Sequence, residues 1–373
     1  MAPKTTPPPV LSDRALNRAT LDRQLLLRPA PLSAEQAVHH LVGLQAQNTK
    51  PPYYALAARL DGFEPEDLSR LMEARQVARI VTMRSTVHTH TAADAVALRR
   101  LVQAGAVDRE LRMFLKGLDG VDLDRLAGLS ADYLEERPRT PKQLREHLLQ
   151  EWPDADPQAL TVAARCLLPL VQVTPRGLWG RSGQVALTTA RQWFQNAVDD
   201  TRTAGLDETV VRYLRAFGPA SVKDMQTWCG LTRLRPAFER LRPGLLVFRD
   251  EHGTELFDLP DAPRPDEDTP APARFLPEFD NLLLSHADRT RVVPAEHRTR
   301  TWSGNQAHRV FLLDGFLAGI WHLEEGKEKT VLTVEAFGRT TRAQRAELTA
   351  EAERTLRLLG PRDVPHEIVH TSA

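Results

Sequence analysis

Apolar residues along the chain follow two spacings. Ala15, Leu16, Leu21 and Leu25 recur at helical spacing, and Ser12 or Asp13 stands where such a helix is capped. Ser33 and Gln36 fit a capping box ahead of the stripe Ala37, Val38, Leu41 and Val42, with Gly43 as the stop. Two more helices are predicted over 53–62 and 65–76. The run RIVTMRSTVHTHT (79–91) is then rich in β-branched residues and predicts a strand or hairpin. Helical spacing returns from Asp94 to Leu101.

This order, short helices closing on a β-ribbon, recurs. Thr140 before Pro141 opens KQLREHLLQEW; a helix over ALTVAARCLLPLVQV follows, then RGLWGRSGQVALTT, read as two strands about an RSG turn. Over 207–260, ETVVRYLRAFG, the Ser221-capped SVKDMQTWCGL and TRLRPAFERL precede LLVFRD and TELFDL, joined by EHG. Helices ending in a two-stranded wing are the winged-helix pattern. The expected fold is α+β, mainly α. Three tandem winged-helix units (11–138, 139–205, 206–262) lie between a disordered tail (1–10) and a Pro- and Asp-rich linker (263–274). A β-rich α+β domain (275–373) completes it, with an Asp314–Gly315 hairpin, a strand over 329–337 and a helix over 342–359.

Composition narrows the classes. The chain has 373 residues, with 49 Lys and Arg against 49 Asp and Glu, so net charge is zero. That argues against a simple basic DNA-coating protein. Of the cations 42 are arginine, but they are spread along the whole chain. No run reaches the roughly 18 uncharged apolar residues of a membrane span, nor the apolar core of a signal peptide. Cys166 and Cys229 alone build neither a disulfide framework nor a zinc site. A cytoplasmic, nucleoid-associated protein is expected.

The familiar catalytic motifs GxSxG, GxGxxG, HExxH and the P-loop are absent. His39 and His40, adjacent on a helix, diverge. His88 and His90 share a strand face without a third ligand nearby, so neither metal nor cofactor is expected. In GLQAQNTKPPYYALAARL (43–60), Gly43 and Pro51–Pro52 bound a short non-helical stretch. In extended backbone, Gln45 and Gln47 point the same way. Two carboxamides, each with a donor and an acceptor, can orient a water but cannot act as a strong base.

Several segments carry a family resemblance: LSDRALNRATLDRQLLL, AVHHLVGLQAQNTKPPYYALAARL, IVTMRSTVHTHTAAD, YLRAFGPASVKDMQTWCGL and RFLPEFDNLLLSHADRTRV. From Leu11 onward the chain resembles the winged-helix DNA glycosylases of the AlkZ and YcaQ type. Gln45-Ala46-Gln47 matches the AlkZ-type catalytic motif; the YcaQ branch has Asp at the second position. The resemblance implies a C-shaped concave surface for double-stranded DNA and a monomeric, monofunctional glycosylase. Its substrate would be N7-alkylguanine, including interstrand crosslinks such as those of azinomycin B, giving self-resistance to a genotoxic natural product. Gln45 and Gln47 would hold the water. Candidate DNA contacts are Lys50, Arg84, Ser85, His88, His90, Arg298, Arg300, Trp302 and Asn305, while Asp280 would oppose sugar charge. The competing class is a winged-helix transcription regulator, but its second helix (33–42) carries no Arg or Lys.

Overall fold

Helices begin where a side chain can satisfy free backbone donors. In the computed structural model, which describes residues 7–195, 204–304, 306–361 and 363–372, Ser12 Oγ accepts from Ala15 N at 3.0 Å and opens Asp13–Arg23. Ser33 and Gln36 form a reciprocal box at the head of Ala34–His40. The same device starts Pro141–Glu151, Val222–Cys229 and Arg342–Leu359. Leu25 lies past the end of its helix, at φ 59°, although its side chain still packs on the core. Pro51 and Pro52 do not extend the chain; they begin the helix Pro51–Ala57. At a helix start, proline's fixed φ and missing N–H cost nothing.

The local hairpins close where turn chemistry demands. Leu246–Asp250 and Glu255–Asp258 pair about Gly253, at φ 81°. Val310–Leu313 and Phe316–Glu325 turn at Asp314 and Gly315, with φ 46° and 81°. Two successive positive φ values are the type I′ geometry that suits the twist of a hairpin. The stretch RGLWGRSGQVALTT behaves differently and does not fold about RSG. The paired strands are Leu170–Gln172 and Leu187–Thr189. The first comes from the end of the run read as helix, which stops at Leu167 ahead of Pro169.

Long-range pairing crosses the expected unit boundaries. One five-stranded sheet runs in the order Leu44–Gln45, Val87–Thr91, Val77–Val81, Leu170–Gln172, Leu187–Thr189, so the first two ribbons are a single sheet. The tail expected over 1–10 falls partly outside the described residues. Within them, Val10–Leu11 pairs in parallel with Leu246–Asp250. The expected linker lies along the first helix: Arg14 donates to Glu267 O, Arg18 to Thr269 O and Arg23 to Pro263 O.

The second five-stranded sheet has the order His366–Ser372, Thr330–Ala336, Phe316–Glu325, Val310–Leu313, Arg274–Leu276. Its Phe275, Phe311, Trp321 and Leu332 share one core with Tyr53, Tyr54 and Leu56 and with Leu348 and Leu356 of the last helix. Each fully buried side chain of this kind contributes about 1.5–3 kcal/mol. The C-terminal sheet is thus a wall of the N-terminal half. No helix among the described residues is long and apolar enough to cross a membrane.

Candidate active site

Gly43 follows the helix Ala34–His40 at φ 94°, and its N–H reaches Val38 O at 2.9 Å. A Cβ there would lie 2.2 Å from His90 Cε1, so only glycine lets the chain pass. Leu44 and Gln45 then pair with Thr89 and His88. Ala46 N donates to Val87 O at 2.7 Å. Buried Arg79 donates to Ala46 O at 2.8 Å and to Asn48 O at 3.4 Å. The motif leaves a sheet edge: Leu44–Gln45 is the edge strand, Ala46 is buried, and the chain bends from Gln47 onward.

Gln45 is 8% exposed, and its Oε1 accepts from Arg84 Nη2 at 2.7 Å. Gln47 is exposed, and its Oε1 accepts from Val87 N at 3.3 Å. Both partners are pure donors, which fixes the oxygen of each amide on the protein side. The two carboxamides are therefore anchored to one hairpin, between Arg84 and Val87. Each oxygen keeps a second lone pair, and neither Nε2 has a partner among the described residues. Arg84 also donates to Trp228 O and has no carboxylate partner among the described residues. Burial lowers its pKa to about 10, which leaves it charged at neutral pH. Arg84 and Ser85 hold consecutive φ values of 55° and 58°. Such strain outside glycine marks a turn fixed by its surroundings.

The structure separates the expected DNA contacts. His88 and His90 do not face a phosphate; they are 1% and 0% exposed. His88 Nδ1 sits 3.0 Å from Thr86 O, His90 Nε2 sits 2.9 Å from Thr82 Oγ1, and the rings stack at 5.6 Å. Burial pushes both pKa values down, His90 to about 4, so both rings are neutral. Val87–Thr91 is covered on both faces, which alternation in sequence does not reveal. Ser85 donates its hydroxyl to Glu110. Lys50 Nζ is paired with Glu325 at 2.7 Å and stands 5.9 Å from the Trp179 ring centroid. Arg300 stacks on Phe337 at 4.0 Å and donates to its carbonyl. Arg298 is exposed, as is Trp302 on the ribbon Trp302–Ser303/Gln306–Ala307. Asn305 lies outside the described residues. Asp280 is not presented to a sugar: it is fully buried in a two-pronged pair with Arg59, at 2.7 and 2.9 Å.

Three contributors escaped the sequence reading. Arg79 was visible as a lone charge inside the apolar strand VARIV. Asn48 and Glu278, 3.1 Å apart, carried no periodicity or spacing that would join them. Among the described residues, no group of three or more His, Cys, Asp or Glu is placed to hold a metal.

The chain matches the AlkZ-like DNA glycosylase family over residues 38–358 and belongs to it: the protein is a DNA glycosylase, a hydrolase that acts on DNA. Its fold is similar to that of the Streptomyces sahachiroi DNA glycosylase AlkZ, with a TM-score of 0.77 at 21% identity, over 96% of this chain and 100% of that one. No curated protein matches the sequence.

Proposed function

We propose that the chain hydrolyses the N-glycosidic bond of N7-alkylguanine in duplex DNA, with Gln45 and Gln47 holding the attacking water beneath C1′. Alkylation at N7 makes the base cationic, hence a good leaving group. Little general-acid help is then required. What remains is to place a water and to stabilise an oxocarbenium-like sugar, which positioning and electrostatics supply. The observation that carries this reading is the anchoring of both carboxamide oxygens on one hairpin, by Arg84 and by Val87 N. Their second lone pairs take the two protons of a water, whose own lone pair is left for C1′. The C1′–O bond forms as C1′–N9 breaks. The electron pair leaves with the now neutral 7-alkylguanine, and the water's proton passes to solvent.

The helix-and-ribbon units form the concave surface that receives the duplex. Exposed Arg298 meets a phosphate, and the exposed Trp302 is a wedge for a groove. A crosslinked guanine is tethered to the opposite strand and resists full extrusion. A site on a sheet edge suits it, so we extend the reading to interstrand crosslinks such as those of azinomycin B and to self-resistance. The enzyme works as a cytoplasmic monomer. Lys50, already paired with Glu325, forms no Schiff base, so the product is free base and an intact abasic site.

The test is excision from a duplex with a single N7-methylguanine, read after alkaline cleavage, for wild type, Gln45→Ala and Gln47→Ala. Wild type is expected to cut and each variant to lose about 10²-fold or more, the scale of a lost transition-state hydrogen bond. A wild type that binds duplex DNA yet excises no N7 adduct overturns the reading.

A further inference from the structure

Gln47, the outer of the two carboxamides, is the less firmly held. Its side chain has one bond, at 3.3 Å, and the next residue's carbonyl receives only a 3.4 Å bond from Arg79. The firmer grip on this end of the motif comes from the other end of the chain. Asn48 Nδ2 donates to Glu278 Oε1 at 3.1 Å, and Arg309 Nε donates to Glu278 Oε2 at 3.0 Å. Glu278 is 8% exposed. The Arg309 guanidinium lies 4.8 Å from the Tyr54 ring centroid and 5.2 Å from that of Trp321. Releasing Glu278 would strand a partly buried arginine, so the carboxylate stays in place.

The loop that carries Glu278 is itself pinned. Asp280 is locked to Arg59, and Asn281 Nδ2 donates to Gly43 O at 2.7 Å. One short loop therefore grips the motif at both ends, at Gly43 and at Asn48. Between these holds, Phe279 takes φ 63°, and its ring meets exposed Trp302 edge-on at 5.6 Å. A positive φ on an aromatic residue persists only where the surroundings impose it.

We infer that Glu278 is a positioning residue for the glycosylase reaction: it sets Gln47 through Asn48, and the loop it shares with Phe279 joins the Trp302 ribbon to the water site. This rests on the reading of Gln47 as a water ligand. Duplex DNA that loads Trp302 presses on the same loop that fixes the motif, so DNA engagement and water placement move together.

The experiment measures single-turnover excision of N7-methylguanine at saturating enzyme, and Kd for the same duplex, in the full chain. The variants are Glu278→Gln, Asn48→Ala, the double, and Trp302→Ala with and without Glu278→Gln. A glutamine at 278 keeps the Arg309 bond through its oxygen and reaches Asn48 only if that amide also turns over, which replaces a charge-assisted bond by a neutral one. Asn48→Ala is expected to slow excision about tenfold, the worth of one charge-assisted hydrogen bond, and Glu278→Gln by a smaller factor, each with Kd within twofold. The double is expected to be no slower than the slower single. Trp302→Ala is expected to raise Kd in both backgrounds but to slow excision only where Glu278 is intact. Full-rate excision by Glu278→Gln and Asn48→Ala, multiplying losses in the double, or a change confined to Kd overturns the inference and leaves the function standing. A wild type that excises nothing overturns both. Thermal melting accompanies each variant; should Glu278→Gln unfold, the exposed Asn48→Ala decides on rate against Kd.

Discussion

Gly43→Ala tests how tightly the motif is built. Gly43 sits at φ 94°, beyond the left-handed minimum that an L-residue visits at a cost of about 1–2 kcal/mol. Its new methyl would fall 2.2 Å from His90 Cε1 and 2.3 Å from Nδ1. His90 has nowhere to go: it is fully buried, bonded to Thr82 and stacked on His88. Forcing a methyl into such packing costs about 1–3 kcal/mol. Together the two effects predict a loss of about 2–5 kcal/mol, measured by guanidinium unfolding. The easiest relief moves Leu44–Gln45 away from Val87–Thr91, which separates Gln45 from Arg84. Single-turnover excision is therefore expected to fall while Kd for DNA holds. Adding His90→Ala should return the steric share, about 1–3 kcal/mol, and leave the backbone share. An unchanged unfolding curve for Gly43→Ala, or a His90→Ala cost that simply adds, would refute the argument.

Arg59→Met leaves Asp280 buried without its partner and is expected to destabilise the chain by about 3–5 kcal/mol, much of which Arg59→Met/Asp280→Asn should recover; equal unfolding curves for the two variants would count against it. His90, with its pKa lowered to about 4 by burial, binds a proton less readily folded than unfolded. Its contribution is full above about pH 7.5 and falls away as pH drops through the ordinary value of about 6.5 toward 4, a loss of about 2 kcal/mol at pH 5. In His90→Gln the stability difference between pH 7.5 and pH 5 should shrink by that amount, and an unchanged difference would place the proton elsewhere. Arg298→Ala should make the slope of log K against log salt shallower by about one, with excision at saturation unaltered; an unchanged slope would remove Arg298 from the phosphate contacts.

Local chemistry was legible wherever its cause lay within a few residues. Ser33 with Gln36, Thr140 before Pro141 and Ser221 each cap a helix because the donors they satisfy are two or three residues away. Asp314–Gly315 turns a hairpin because both positions accept positive φ. The two glutamines could be placed in non-helical backbone from Gly43 and Pro51–Pro52, although the prolines begin a helix instead of extending the chain. Where the reading failed, a distant segment had intervened. Leu170–Gln172 is a strand because Arg79 and Ile80 offer it an edge. His88 and His90 lie inside because other elements cover the second face of their strand.

The sequence by itself determined where helices start, where two hairpins turn and that two carboxamides two apart stand outside any helix. Only the tertiary structure decided that the first two ribbons are one sheet, that the supposed linker clasps the first helix, and that Glu278 reaches Asn48 across 230 positions of sequence. Caps and turns are settled by bonds within a few residues, so their residues announce them. Sheet partners, burial of a second face and the grip on a motif are settled by surfaces that meet only once the chain has closed. Loop-closure entropy grows only with the logarithm of separation, about 0.6 kcal/mol per doubling, so the surfaces that meet on closure outweigh it even for distant partners.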